Sequence, residues 1–174
     1  VQPVEGAQPT ERTEMRVLYD SGHLYIALRC FDSDPAAIIA RQMLREGDIN
    51  GDDIVEIALE PFGDQRNGYY FALSAAGAKV DGLIETQTRS VRTDWDELWI
   101  GKATIDDRGW SAEFSIPLTS ISLNPAIDRW GLNTQRTIRR KQEVVRWSGA
   151  SPNIRLADLN QAGTLTDLRR LDQG

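Results

Sequence analysis

The sequence predicts an all-β domain in which two antiparallel sheets pack as a sandwich, jelly-roll or immunoglobulin-like, with at most one short helix. Apolar and polar residues alternate with period two in many short segments, which is the pattern of half-buried strands. Turn residues separate these segments every 8–15 residues or so, a spacing typical of sandwiches. The chain has 174 residues, 40% of them hydrophobic and 26% charged, which suits one ordinary core.

Residues 1–12 are polar, contain two prolines and are expected to form a leading segment on the surface. Residues 13–170 are expected to form the single domain. Its clearest strand pair spans 13–32, where alternation runs on both sides of a turn at 20–22. The residues that alternate onto one face are Met15, Val17, Tyr19, Leu24, Ile26, Leu28 and Cys30. A thiol on that apolar face is expected to be buried and inert.

After this hairpin, residues 35–41 could form a short helix, with Asp34 as its N-cap and Pro35 at its first position. The strand at 54–60 then places three apolar residues on one face and Glu56 on the other. Further strand pairs are predicted at 69–77 with 79–85, at 95–106 with 109–118, and at 130–140 with 143–149, while 86–94 and 151–161 are predicted loops. The predicted core comprises Leu24, Ile26, Leu28, Val55, Ile57, Leu59, Trp110, Phe114 and Ile116.

Five segments, in the same order and with similar spacing, resemble family 9 carbohydrate-binding modules and their relatives. They are RVLYDSGHLYIALRCFD, DDIVEIALEP, GWSAEFSIPL, WGLNTQRTI and AGTLTDL. Two segments, ERTEMRVLYD and NGYYFALSAAGAKVDGLI, are most similar to the sequences of one subgroup. In that subgroup the module precedes a large bacterial outer-membrane domain. The resemblance implies the same β-sandwich fold.

The resemblance also implies a function: a non-catalytic module that binds an oligosaccharide or polysaccharide. Such a module would belong to a larger secreted or envelope protein of carbohydrate breakdown or uptake, tethered to a C-terminal domain outside the bacterial cytoplasm. The main alternative is a structural or protein-interaction domain of an outer-membrane protein. Nucleic acid is not an expected partner, because the net charge is −6 and the sequence has no concentrated basic run. No segment has the roughly 20 apolar residues of a membrane helix.

Sugar sites combine an aromatic platform with hydrogen-bonding groups, because sugars present apolar C–H faces ringed by hydroxyls. In the resembled sugar-binding modules, two tryptophans sandwich the sugar, and a glutamate, arginines and an asparagine assist them. The resemblance assigns that glutamate to Glu56, whereas the two tryptophan positions fall on Asn50 and near Ile154. The ligand-binding candidates are therefore Glu56 with Trp95, Trp99 or Trp147 as the stacking surface.

A metal site is a further possibility, although no cofactor is expected to be required. Two loops concentrate five aspartates: Asp32, Asp34, Asp48, Asp52 and Asp53. The second loop fails the EF-hand pattern, since Asp53 and Leu59 occupy the positions of the glycine and the last glutamate. The hypothesis is a structural Ca²⁺, which the resembled modules often contain, and the alternative is a solvated acidic loop.

The sequence leaves two other functions open, glycoside hydrolysis and haem binding. A glycoside hydrolase needs two carboxyl groups about 5–10 Å apart, and the chain has 26 acidic residues. Haem-binding domains of the same sandwich type hold iron between a methionine and a histidine. Here the available ligands would be Met15, Met43 and His23, the last of which is the single histidine.

Overall fold

The computed structural model describes residues 1–2, 4–45, 47–149, 151 and 153–168, which contain eleven strands. In chain order they are β1 Thr13–Tyr19, β2 His23–Phe31, β3 Ile54–Glu60, β4 Asn67–Ser74, β5 Lys79–Glu85, β6 Ser90–Arg92, β7 Ile100–Asp106, β8 Gly109–Pro117, β9 Trp130–Ile138, β10 Glu143–Arg146 and β11 Gly163–Leu165. The only helical segments among these residues are four 3-10 turns of three residues each.

The strands form two antiparallel sheets of unequal width. The smaller sheet has the order β1-β2-β8-β7, and the larger has the order β10-β9-β3-β4-β5-β6, with β11 also paired to β9. Two sheets that each have one apolar face bury those faces against each other. The predicted two-sheet sandwich is therefore confirmed.

The core lies between the sheets and consists of the apolar residues that alternate inward from both. All nine predicted core residues are at most 1% exposed, so this prediction is confirmed. The lone cysteine, Cys30, is fully buried as expected, and burial raises the pKa of its thiol to about 12.

One local prediction was only partly confirmed and two were wrong. The segment after β2 forms only a 3-10 turn at Pro35–Ala37; Pro35 starts it as predicted, but Asp34 makes no capping side-chain bond within the described structure. Residues 90–92, expected in a loop, pair with β5 as strand β6. The strand predicted from residue 95 begins at Ile100, because the preceding residues follow the edge of the core instead of pairing.

The leading segment is more closely attached than its composition indicates. Gln2 pairs with Val144 through two backbone hydrogen bonds of 2.8 and 3.2 Å. Glu11 is only 6% exposed and forms ion pairs with Lys141 and Arg140. The segment therefore lies along the β10 edge of the larger sheet.

Candidate functional site

A groove of about 860 Å³ crosses the outer face of the larger sheet, the face opposite the core. Its floor is formed by outward side chains of β3, β4, β9 and β10. Two loops form its walls: residues 47–50 on one side and residues 154–157 on the other. We call this hollow the groove.

Small apolar clusters hold both walls in place. Ile49 packs with Ile54, Ala72 and Ala78 on one side. On the other side, residues of the 154–161 loop pack on β3 and β5, forming the cluster of Ala58, Ile84, Leu156, Ala157 and Leu159. Tyr70 contacts both clusters and therefore lies in the middle of the floor. Each wall is fixed by its own buried contacts, so the groove is built into the fold.

A row of four polar side chains runs along the floor. Tyr70 Oη donates to Glu56 Oε1 at 2.9 Å, and Gln135 Nε2 donates to Glu56 Oε2 at 2.6 Å. The oxygen of Gln135 accepts two bonds from Arg146, at 3.0 Å from Nε and 2.8 Å from Nη2. Arg146 Nη1 donates to the carbonyls of Gly149 and Ile154 at 3.2 and 2.6 Å.

This row still has hydrogen-bonding capacity toward the groove. Each oxygen of a carboxylate can accept more than one bond, a phenol oxygen can accept as well as donate, and an amide nitrogen has two hydrogens. Within the described structure, Glu56 and Tyr70 therefore keep lone pairs, while Gln135 and Arg146 each keep an N–H. Acceptors and donors thus lie next to one another along the floor.

The environment of the floor shifts the pKa values of its ionisable groups. Burial raises the pKa of Glu56 above its ordinary value, and the bonds from Gln135 and Tyr70 partly oppose that rise. Burial and the neighbouring Glu56 carboxylate raise the pKa of Tyr70 well above 10, so Tyr70 stays a donor. Burial also lowers the pKa of Arg146.

The predicted ligand-binding residues do not form one site. Glu56 lies in the groove, and so do the two positions, Asn50 and Ile154, to which the resemblance assigned the tryptophans. Trp99 is only 4% exposed and stacks on Phe114 in the core, with ring centroids 5.5 Å apart.

The two other tryptophans are also away from the groove. Trp95 packs on Tyr69 and Phe71 at the edge of the core, on the inner side of the larger sheet. Trp147 is 53% exposed but lies on the opposite side of the sheet from Glu56, as described below.

The five aspartates do not fit a metal site. Asp32 accepts two bonds from Arg140, at 3.0 and 2.6 Å. Asp52 accepts from two backbone N–H groups, and Asp53 accepts from the backbone of Arg139. Asp48 is bonded to Asn50, and Asp34 lies in the turn after β2. Among the described residues no three His, Cys, Asp or Glu side chains converge on one point. The described structure thus gives no support to the predicted calcium site, and whether calcium binds is to be decided by measurement.

The haem ligands considered from the sequence lie far apart in the fold. His23 follows the first hairpin turn and stacks on Tyr25. Met15 packs against the core, whereas Met43 is 76% exposed in the loop between β2 and β3. No pair of them faces a common cavity among those described.

Three residues of the groove floor were not predicted from the sequence: Tyr70, Gln135 and Arg146. The signal for Tyr70 was available, because it alternates with Tyr69 and Phe71 and must face outward on β4. The pairing of Gln135 with Arg146 depends on the β9–β10 register, which sequence alone does not determine.

No protein-family model matches the chain, and no curated protein matches it in sequence. Solved structures share its fold. A proposed carbohydrate-binding protein from Bacteroides uniformis superposes with a TM-score of 0.73 and 15% identity, covering 90% of this chain and 78% of that one. A family 9 carbohydrate-binding module from Caldicellulosiruptor kristjanssonii superposes with TM-scores of 0.64 in complex with cellotriose and 0.61 in complex with glucose. The identities are 15% and 14%, each pair covering 92% of this chain and 77% or 78% of the other.

No helix in the described part of the chain is long and apolar enough to cross a membrane.

Proposed function

We propose that this domain binds carbohydrate without transforming it, and that the groove on the larger sheet is its binding site. The observation that supports the proposal is the row of Tyr70, Glu56, Gln135 and Arg146 along the groove floor. Two structures of the same fold are complexes with cellotriose and with glucose.

The row has the chemistry that a sugar needs. A sugar hydroxyl donates one hydrogen bond and accepts others, so neighbouring hydroxyls fit a surface on which acceptors and donors alternate. A bond to an ionised group contributes roughly 1.5–3 kcal/mol, more than a neutral bond does. Glu56 would accept from one or two hydroxyls, while Gln135 and Arg146 would donate to them. We propose neutral oligosaccharides as the ligands, because the row carries one anion, Glu56, and one cation, Arg146, and therefore no net charge.

Affinity is expected to be modest. Much of the energy of sugar recognition comes from stacking on exposed aromatic rings, and the groove offers only the partly exposed Tyr70 among its described lining residues. The rest of its apolar surface is aliphatic and includes the side chains of Val80, Val91, Val144 and Ile154. They give contact area without a flat platform.

Two observations favour binding over catalysis. Both oxygens of Glu56 are engaged by neutral side chains that hold the carboxylate in place. The other groove-lining carboxylate, Asp48, is bonded to Asn50 on the wall loop. A location outside the bacterial cytoplasm and a tether to a larger protein are proposed with this function, on the resemblance stated above.

Isothermal titration calorimetry with soluble oligosaccharides, cellotriose included, tests the proposal. Glu56→Ala should weaken the binding of a responding sugar by about tenfold or more, the cost of a charge-assisted hydrogen bond. Glu113→Ala is the matched control, since Glu113 is an exposed strand glutamate on the other sheet. Both variants should melt cooperatively. No response to any sugar by the folded wild type, or equal affinity in Glu56→Ala, would contradict the proposal.

A second candidate function, contact with another protein, is favoured by the outer face of the smaller sheet. Leu18, Tyr25 and Ile100 lie in one row across the strands, and they are 70%, 36% and 69% exposed. Apolar groups clustered on an exposed face commonly mark contact surfaces. Ile100→Lys would test it: sugar binding should persist, while sedimentation of the full-length protein with its partners should change. Unchanged sedimentation would contradict this function.

A further inference from the structure

A second hollow lies at the edge of the sandwich, where the two sheets differ in width. The larger sheet extends past β1 with its edge strand β10, so the inner face of β10 is not fully covered by the smaller sheet. The result is a cleft of about 550 Å³ between the two sheets. We call it the edge cleft; its walls include Pro9, Met15, Leu28, Thr134, Val145 and Trp147.

Trp147 lies on the inner side of the larger sheet, whereas Glu56 lies on the outer side. Successive residues of a strand point to opposite faces. The Arg146 side chain reaches Gln135 on the groove floor, so Val145 and Trp147 point inward. The backbone N–H of Trp147 continues the ladder by bonding to the carbonyl of Thr134 at 3.0 Å. Trp147 therefore belongs to the edge cleft and not to the groove.

The indole of Trp147 is held in place and still presents surface. Its ring lies against Gly163 of β11, where an added Cβ would collide with the ring carbons Cζ3 and Cη2. A side chain at that position would force the ring to move. With 53% of the residue exposed, Trp147 is the only exposed tryptophan among the described residues. A fixed, accessible indole is the platform that a sugar ring uses for stacking.

Polar groups accompany this platform inside the cleft. Thr134 lines the cleft and is 6% exposed. Arg136 is 1% exposed, and its terminal nitrogens are held by Arg12, Thr13 and Phe31, at 2.9–3.2 Å. Its Nε, in contrast, is buried without a partner among the described residues. Buried polar groups are normally satisfied, so the unpaired Nε of Arg136 indicates a missing acceptor at the base of this cleft.

We propose that the edge cleft is a second carbohydrate-binding site, which takes a single neutral pyranose stacked on Trp147. The C–H face of the sugar would cover the indole, and its hydroxyls would bond to Thr134 and the base of the cleft near Arg136. The site goes beyond the groove proposed above, because the two hollows lie on opposite faces of the larger sheet at β10 and share only the lining residue Arg146. A chain of sugars in the groove and a single sugar in the cleft would not compete.

The test is an NMR titration of the ¹⁵N-labelled wild type with the methyl glycosides of glucose, mannose, galactose and xylose. Saturable shifts of the Trp147 indole N–H and the Thr134 amide are expected with at least one sugar. The same titration on Glu56→Ala should give the same cleft shifts within twofold in affinity, even if the groove no longer binds or never did. The titration therefore distinguishes a loss of sugar binding in the groove from an absence of sugar binding in the cleft.

Variants then identify the platform. Trp147→Ala should abolish the sugar-dependent shift of the Thr134 amide, whereas Tyr25→Ala, which removes a partly exposed aromatic ring from the other sheet, should preserve it. Thr134→Val should weaken binding in the cleft severalfold. The proposal is overturned if no sugar moves the Trp147 and Thr134 signals of the folded wild type. It is also overturned if the Thr134 shift persists in Trp147→Ala.

Discussion

Gln135 donates a hydrogen bond of 2.6 Å to the carboxylate of Glu56, and this bond determines how its amide is oriented. A carboxylate only accepts, and the guanidinium of Arg146 on the other side only donates. The amide must therefore turn its nitrogen toward Glu56 and its oxygen toward Arg146. One neutral side chain thus joins an anion and a cation that do not contact each other directly.

Replacing this amide should weaken the fold as well as the site. Gln135→Leu would leave a partly buried carboxylate and a partly buried guanidinium each with fewer partners, at a cost of about 1–3 kcal/mol. Urea denaturation measures the change in the free energy of unfolding. Gln87→Leu, in the exposed turn between β5 and β6, is the matched control and should have little effect. Equal stability of the two variants would contradict the role of Gln135.

Sugar binding in the groove should depend on pH through Glu56. Because burial raises the pKa of this carboxyl, it takes up a proton at a higher pH than an ordinary glutamate does. Protonation removes the negative charge that a sugar hydroxyl bonds to, so affinity should fall as the pH is lowered through that pKa. Tyr70 does not contribute, since its pKa is far above this range.

Calorimetric titrations over a series of pH values measure this dependence. Glu56→Gln should bind more weakly at neutral pH and should lack the acid-side decline, because its amide does not titrate. An identical pH profile in wild type and Glu56→Gln would rule out Glu56 as the titrating group.

The tryptophans should differ sharply in their effect on stability. Trp99 is packed between Phe71 and Phe114 in the core. Trp99→Ala should cost about 3–5 kcal/mol, as is typical for removing a buried large aromatic residue. Trp147→Ala, on a half-exposed residue, should cost much less. Chemical denaturation of both variants checks this, and equal losses would show that Trp147 is a core residue in solution.

The thiol of Cys30 should be unreactive in the folded protein. It is fully buried, and burial raises its pKa to about 12, so almost no nucleophilic thiolate forms at neutral pH. A chromogenic disulfide reagent should label it only when the sandwich opens, with a rate that rises strongly in denaturant. Rapid stoichiometric labelling without denaturant would show that the core is accessible near β2.

Calcium should leave the melting temperature unchanged. Asp32 is paired with Arg140, while Asp52 and Asp53 accept backbone hydrogen bonds, so these carboxylates already have partners. A metal bound only by the folded protein would raise the melting temperature. Thermal unfolding in excess calcium and after dialysis against chelator should therefore give the same curve. A higher melting temperature in calcium would instead support a Ca²⁺ site in the two aspartate-rich loops.

The fold could be predicted because its evidence is local. Leu24, Ile26 and Leu28 alternate along one strand, and that pattern alone states which face is buried. The same reasoning placed Glu56 correctly on the outer face. The position of Trp99 could not be obtained in this way, since a tryptophan before a strand packs inward or outward according to neighbours far away in sequence. The ring partners of Trp99, Phe114 on β8 and Phe71 on β4, belong to different sheets.

The partners of the aspartates and of the groove-floor residues could not be predicted for a related reason. The loop sequence shows that Asp32 is acidic, but its partner Arg140 is 108 positions further along the chain. Gln135 is 79 positions from Glu56, and only the pairing of β3 with β9 brings them together. Charge patterns in a loop indicate a cation site only when such distant partners are absent, which a single sequence does not reveal.

The central claim, that the outer face of the larger sheet binds sugar, is tested most directly by mapping backbone amide shifts. The ¹⁵N-labelled domain would be titrated with the tightest-binding oligosaccharide of the calorimetric panel. The account predicts that the largest shifts fall on Glu56, Tyr70, Gln135 and Arg146 and on the wall loops at 47–50 and 154–157. Shifts confined to the outer face of the smaller sheet, or no shifts in the groove at saturation, would contradict it.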